Sequence, residues 1–159
     1  MSRDGNNIGN KFKELNFPLY SKLNENDLLA KLKIAINWQS SSLRSQNNRE
    51  SFLFCAIGLE ALLTTGRESI TKSLAENTAF LIADKDIESR KFIYSQIVRL
   101  YSHRSGIAHG GNINIEIKDL NQIRYYLSVC IITIIIKIQK DELNTVKDLI
   151  DFFEDQKFS

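Results

Sequence analysis

This chain contains little that interrupts a helix or holds a metal ion. Its 159 residues include one proline and seven glycines, and this scarcity argues against a turn-rich β fold. Both cysteines, Cys55 and Cys130, lie within apolar runs, which indicates small buried residues in a reducing compartment, with a disulfide as the less favoured alternative. The two histidines, His103 and His109, have no metal-ligand spacing to a cysteine, so we expect no zinc site and no cofactor.

The charge balance leaves most function classes open. The formal net charge is +2 and the pI is about 8.5, values that neither require nor exclude a nucleic-acid partner. The polar, asparagine-rich start of the chain is unlike a secretory signal. The longest apolar run, residues 127–138, is too short to span a bilayer and suits a buried helix. The sequence therefore predicts a cytoplasmic protein without a membrane partner.

Hydrophobic periodicity predicts an all-α fold. Residues 1–24 are predicted to form a poorly ordered N-terminal segment or linker, and residues 25–159 a single helical domain. Helices are expected at about 26 to 40–42, 48–64, 69–83, 86 to the glycines after 104, 117–140 and 145–154. The second is apolar on nearly every side, which is typical of a central, deeply buried helix. The isoleucine-rich fifth segment also fits a strand, but its length favours a helix.

The end of the fourth helix places an arginine and a histidine five residues apart. Arg104 carries a permanent cation, and His109 can transfer a proton near neutral pH. Cleavage of RNA by its own 2′-hydroxyl needs a base for the hydroxyl proton and a cation for the phosphoryl charge. Residues five apart on a helix point about 140° apart, so we expect Gly106 to bend or unwind the turn. The competing interpretation is an ordinary helix end, where basic residues complement the dipole.

The order of several segments resembles the HEPN domain superfamily, in particular its Apea-like group. The family signature is an arginine followed, after four to six residues, by a histidine, often with a small polar residue next to the arginine. The matching positions are Tyr101, Arg104, Ser105, Ile107, His109 and Gly110. Residues 52–63, which include Glu60, are similar to the family's acidic helix, and residues 69–75 and 79–81 to its connecting helix. The resemblance covers about residues 26–140.

The resemblance implies a HEPN-like antiparallel bundle of about five to six helices that acts as a metal-independent endoribonuclease. In this family two protomers usually bring their motifs together in one cleft, and many members are toxins or effectors of antiviral defence. The products would carry a 2′,3′-cyclic phosphate and a 5′-hydroxyl. By motif position, His109 is the proton-transfer residue, Arg104 the phosphate-stabilising residue, and Ser105 supports their placement.

Three residues near the motif each have two interpretations. Glu60 is a lone charge in an apolar run, where a carboxylate needs a partner; it either orients Arg104 or His109 across the bundle or forms a structural ion pair. His103 falls outside the family spacing and is predicted to be an exposed helix-end histidine. Tyr101 lies on the apolar stripe of its helix, which favours a core position over stacking on a base.

The leading hypothesis is a homodimeric HEPN-type ribonuclease that acts on RNA in a toxin or antiviral setting. The alternative is a non-catalytic helical module that dimerises or binds RNA within a defence or toxin–antitoxin complex, with the apolar residues 127–138 as part of an interface. A third hypothesis is a fragment of a larger protein, in which the polar first twenty residues are the linker behind another domain.

Overall fold

The structure is a computed structural model that describes residues 27–64 and 69–159. These residues form six α-helices and no β-strand: α1 (Asp27–Arg44), α2 (Asn48–Leu63), α3 (Ile70–Ala83), α4 (Ile87–Ala108), α5 (Ile117–Gln139) and α6 (Val146–Lys157). The predicted all-α bundle is confirmed, and the ambiguous fifth segment is a helix. The predicted N-terminal segment, residues 1–24, lies outside the described residues.

Local sequence sets several helix starts. The Asn47 side chain accepts a hydrogen bond from the backbone N–H of Glu50 at 3.1 Å and caps α2. Thr145 and Asp148 form a reciprocal capping box at the start of α6. The predicted end of α1 is wrong by a few residues, because Ser42 is fully buried and its hydroxyl accepts a hydrogen bond from Arg124 of α5 at 3.1 Å. This tertiary contact holds the serine-rich turn in the helix.

Helix α2 is the centre of the bundle, as predicted. It contacts α1, α3, α4 and α5, while α1 packs mainly on α2 and α3 mainly on α4. Its fully buried residues are Phe52, Cys55, Ala56, Leu59, Leu62 and Leu63. A Cβ on Gly58 would lie 2.9 Å from Leu127 of α5, so this glycine permits the close packing of α2 and α5.

The predicted inward faces are mostly correct. On α4 the stripe of Ile93, Ile97, Leu100 and Tyr101 is buried. The prediction is wrong for Ile70, whose side chain is half-exposed because it begins α3 at the edge of the bundle. The stripe of α4 ends next to Arg104.

Both cysteine thiols are buried and free, as predicted. Burial raises the pKa of the Cys55 thiol and raises the pKa of Cys130 to about 12. Cys130 lies on α5, which among the described helices is long and apolar enough to cross a membrane. A core helix has the same properties, and Leu120, Leu127 and Ile134 of α5 are buried against its neighbours in the bundle.

Candidate functional site

Arg104 and Glu60 form an ion pair where α4 meets α2. The guanidinium Nε lies 2.8 Å from Oε1 of Glu60, and Nη2 donates a hydrogen bond of 3.3 Å to Oε2. Arg104 follows the buried stripe of α4, and Glu60 lies in the last turn of α2, so the two side chains meet between the helices. The geometry confirms that Glu60 has a partner across the bundle, and that partner is Arg104.

The ion pair occupies only one edge of the guanidinium. Glu60 faces Nε and Nη2, and among the described residues nothing contacts Nη1, so its N–H groups are available to a ligand. The Arg104 side chain is 33% exposed and that of Glu60 is 19% exposed. Glu60 Oε1 is buried and accepts no hydrogen bond from the described part of the chain, although Nε of Arg104 lies 2.8 Å away. The carboxylate therefore orients the arginine mainly through charge.

Tyr101 lies in the core beside this pair. Its ring is 3% exposed, and its hydroxyl donates a hydrogen bond of 2.8 Å to the carbonyl of Ala56. Burial raises the pKa of Tyr101 well above its usual value, and the charge of Glu60 raises it further. The predicted core position is confirmed. A neutral phenol at this place fixes α4 against α2 one turn before Arg104.

His109 follows α4 as its C-cap and is exposed. Its backbone N–H donates to the carbonyl of Ser105 at 3.1 Å, and α4 continues through Ala108, so the predicted unwinding at Gly106 does not occur. Within one chain Arg104 and His109 therefore point about 140° apart. The imidazole makes no hydrogen bond, ion pair or ring contact in residues 27–64 and 69–159, and the exposed Ser105 hydroxyl makes none either.

The glycines of the motif end α4 instead of bending it. Gly110 has a φ of 79°, and the N–H of Gly111 donates to the carbonyl of Gly106 at 2.9 Å, which together form a Schellman cap. A Cβ on Gly106 would lie 2.0 Å from Cδ1 of Ile113. A Cβ on Gly111 would lie 2.7 Å from the Gly106 carbonyl oxygen. Glycine is required at position 111, because a Cβ there would meet backbone, whereas the flexible end of the Ile113 side chain could move away from a Cβ on Gly106.

Sequence reasoning missed a polar network next to the motif. Asp119, in the first turn of α5, is buried; its Oδ1 accepts a hydrogen bond from Arg99 at 2.7 Å, and its Oδ2 lies 3.3 Å from Nε2 of His103. Arg99 also donates to Gln122 at 2.6 Å. The prediction of an exposed His103 is wrong, because its ring is held between Asp119 and the edge of Phe52. Arg99 and His103 lie one turn apart on the same face of α4, and this spacing is the feature of the sequence that could have indicated the network.

The geometry provides a half-exposed cation with a fixed orientation and a separate exposed imidazole. No group of three or more His, Cys, Asp or Glu side chains that could hold a metal ion occurs in the described ranges. No family model, curated protein sequence or solved structure matches this chain.

Proposed function

We propose that this protein is a metal-independent endoribonuclease of the HEPN type. The observation that carries the proposal is the orientation of Arg104 by Glu60 at the surface of the α2–α4 contact. An arginine held on one edge and open on the other suits a phosphate group, because the guanidinium makes paired hydrogen bonds to its oxygens. His109 supplies an imidazole on the same helix end, where no residue of the described part of the chain competes for it.

In this mechanism the reaction is an attack within the RNA strand. The imidazole of His109 takes the proton of a 2′-hydroxyl, whose oxygen then bonds to the adjacent phosphorus. The bond from phosphorus to the 5′ oxygen breaks as that oxygen takes up a proton from water, and the imidazolium of His109 then returns its proton to the solvent. Arg104 stabilises the negative charge that develops on the phosphoryl oxygens. The products are a 2′,3′-cyclic phosphate and a 5′-hydroxyl.

The continuous helix favours a site that two copies of the chain complete together. Because Arg104 and His109 diverge by about 140° around α4, one phosphate does not easily reach both residues of the same chain. A second copy that approaches with its own α4 end would place its histidine opposite the first copy's arginine. We therefore infer a homodimer that acts on RNA in the cytoplasm, in a toxin or antiviral setting.

The deciding experiment is incubation of purified protein with total RNA in EDTA. We expect the wild type to cleave RNA, with end groups that identify the cyclic phosphate, and His109→Ala and Arg104→Ala to lose cleavage. A strict need for a divalent metal ion would contradict the mechanism.

Two controls keep this experiment specific. His103→Gln removes the other imidazole of the chain, which Asp119 holds in the polar network, and we expect it to retain cleavage. Arg44→Ala removes an exposed arginine at the end of α1. Circular dichroism and thermal unfolding check that each variant is folded. Loss of cleavage in the controls as well would show that the effect is structural.

One observation favours a second candidate function, a non-catalytic module that dimerises or binds a partner within a larger complex. The face of α5 that turns away from the core carries the exposed apolar residues Tyr125, Ile132 and Ile136, which share one side of the helix. Exposed apolar stripes of this kind often mark interaction surfaces.

Light scattering of the wild type and of Ile132→Asp tests this candidate. A dimer that the substitution dissociates, in a protein that never cleaves RNA, would support the module. Phe92→Asp on α4 is the matched control, because it adds the same charge at an exposed aromatic residue elsewhere.

A further inference from the structure

The loop after α4 forms one wall of an open polar cleft. The cleft has a volume of about 440 Å³ and lies between the start of α2 and residues 112–115. Five of its lining residues carry side-chain amides: Gln46, Asn47, Asn48, Asn112 and Asn114. Ile113 and Ile115 add an apolar contribution. The volume falls within the range of small-ligand sites in proteins, about 300–1,000 Å³.

Four of these five amides have no partner within residues 27–64 and 69–159. Asn47 uses its oxygen to cap α2. The amide groups of Gln46, Asn48, Asn112 and Asn114 make no hydrogen bond within the described part of the chain, and all four residues are exposed. Their donors and acceptors are therefore available to a ligand in the cleft.

The chemistry of the lining favours a nucleobase over a phosphate. A side-chain amide offers a donor and an acceptor side by side, which match the edge of a base. The one cation among the lining residues is Arg49, and its Nη2 already donates to the carbonyl of Gly111 at 3.1 Å. Adenine fits best, because it presents a neighbouring donor and acceptor on both of its reading edges.

The cleft is firmly joined to the end of α4 that carries His109. Arg49 holds Gly111, and the Schellman cap holds the same glycine against the last turn of the helix. Asn112 follows His109 by three residues, so their backbones are within about 11 Å of each other. A base in the cleft would therefore belong to a nucleotide close to the bond that His109 acts on.

We propose that this cleft binds an unpaired RNA base, preferentially adenine, next to the scissile phosphate, an inference that rests on the proposed ribonuclease function. Asn112 and Asn114 are the residues that recognise the base. The cleft then determines which sequences are cut, while Arg104 and His109 perform the cleavage.

The test combines cleavage with binding, so that the two proposals fail separately. Short single-stranded RNA oligomers of A, C, G or U are measured by fluorescence anisotropy with the His109→Ala protein. The same sequences are then measured as cleavage substrates with the active protein. The variant is Asn112→Ala/Asn114→Ala, which removes exposed groups that make no hydrogen bond to residues 27–64 and 69–159. The matched controls are Asn37→Ala on α1 and Gln139→Ala at the far end of α5, both exposed amides.

We expect the double variant to lose the adenine preference and to show a KM raised about tenfold for adenine-containing RNA, with a kcat close to wild type. The control variants should match the wild type. Cleavage by the double variant with an unchanged KM and an unchanged base preference would contradict base binding in the cleft, while the ribonuclease proposal would still hold. Adenine binding that depends on the two asparagines, without any cleavage, would support the cleft and overturn the ribonuclease. Absence of both would overturn both proposals.

Discussion

Removal of the Arg104 side chain should destabilise the protein more than neutralisation of its partner. In Arg104→Ala the Glu60 carboxylate keeps a buried oxygen, Oε1, and loses its counter-charge. In Glu60→Gln the arginine, which is 33% exposed, can turn toward water. Loss of one partner from a fully buried pair costs about 3–5 kcal/mol, and exposed pairs contribute about 0.2–1 kcal/mol. This half-buried pair lies between these limits.

We therefore expect Arg104→Ala to lower the free energy of unfolding by about 2 kcal/mol, and Glu60→Gln by about half of that amount. The double variant, Arg104→Ala/Glu60→Gln, should recover part of the lost free energy of unfolding, because it leaves no unpaired charge at this position. Urea unfolding followed by circular dichroism measures the three free energies, and the double-mutant cycle isolates the interaction. For a chain of this length the arginine variant should also lower Tm by about 4–8 °C.

The ordering of the two single variants is the decisive result. If Glu60→Gln is as destabilising as Arg104→Ala, the loss of stability in Arg104→Ala is not caused by the burial of an unpaired carboxylate. If the cycle gives no interaction energy, the pair does not orient Arg104. Arg44→Ala is the control, since Arg44 is exposed at the end of α1 and should change stability very little.

The same variants separate positioning from catalysis. Glu60→Gln keeps the guanidinium but removes the charge that orients it, so we expect kcat for RNA cleavage to fall while KM changes little. Glu60→Asp should restore part of the activity, because it returns a carboxylate near Arg104. If Glu60→Gln leaves both cleavage and dimerisation untouched, Glu60 has only a structural role.

Three further predictions concern stability. Gly110→Ala should lower the free energy of unfolding by about 1–2 kcal/mol because of the φ of 79° alone, since a Cβ at this position has no neighbour within 4 Å. Gly110→Asn should lower it less, because asparagine tolerates this conformation. Equal stability of the two variants would contradict this reasoning. Gly58→Ala should lower Tm, because overpacking against the fully buried Leu127 costs about 1–3 kcal/mol and outweighs a gain of about 1 kcal/mol in helix propensity. Folding raises the pKa of Cys130 from 9.0 to about 12, so the thiol's contribution to stability is complete below pH 9 and is lost as pH rises from 9 to 12. Urea unfolding should show a loss of about 1.4 kcal/mol per pH unit in this window that Cys130→Ala lacks.

The helices and their inward faces could be predicted because they depend on local properties. Few glycines and prolines leave long uninterrupted segments, and the apolar spacing identifies the side that loses contact with water. Glu60 was recognisable as a charge that needs a partner, because it stands alone in an apolar helix. The start of α2 at Asn48 follows from the capping chemistry of Asn47.

The polar network and the role of the glycines could not be predicted in the same way. Asp119 begins a different helix from His103 and Arg99, and its position in the sequence is typical of a solvated first turn. From the sequence alone, Gly106 is compatible both with a bend within α4 and with the last turn of that helix. The return of Ile113 onto the helix end distinguishes the two, and it depends on the path of the loop.

The sequence by itself determined that the protein is helical, which helix is central and which faces of the helices are buried. These properties depend on backbone preference and on periodic burial, which act over a few residues. Only the tertiary structure decided that Glu60 holds Arg104 and that amides from α2 and the loop after α4 share one cleft. These contacts join residues far apart in the chain, and they arise from the way whole helices pack to bury their apolar faces.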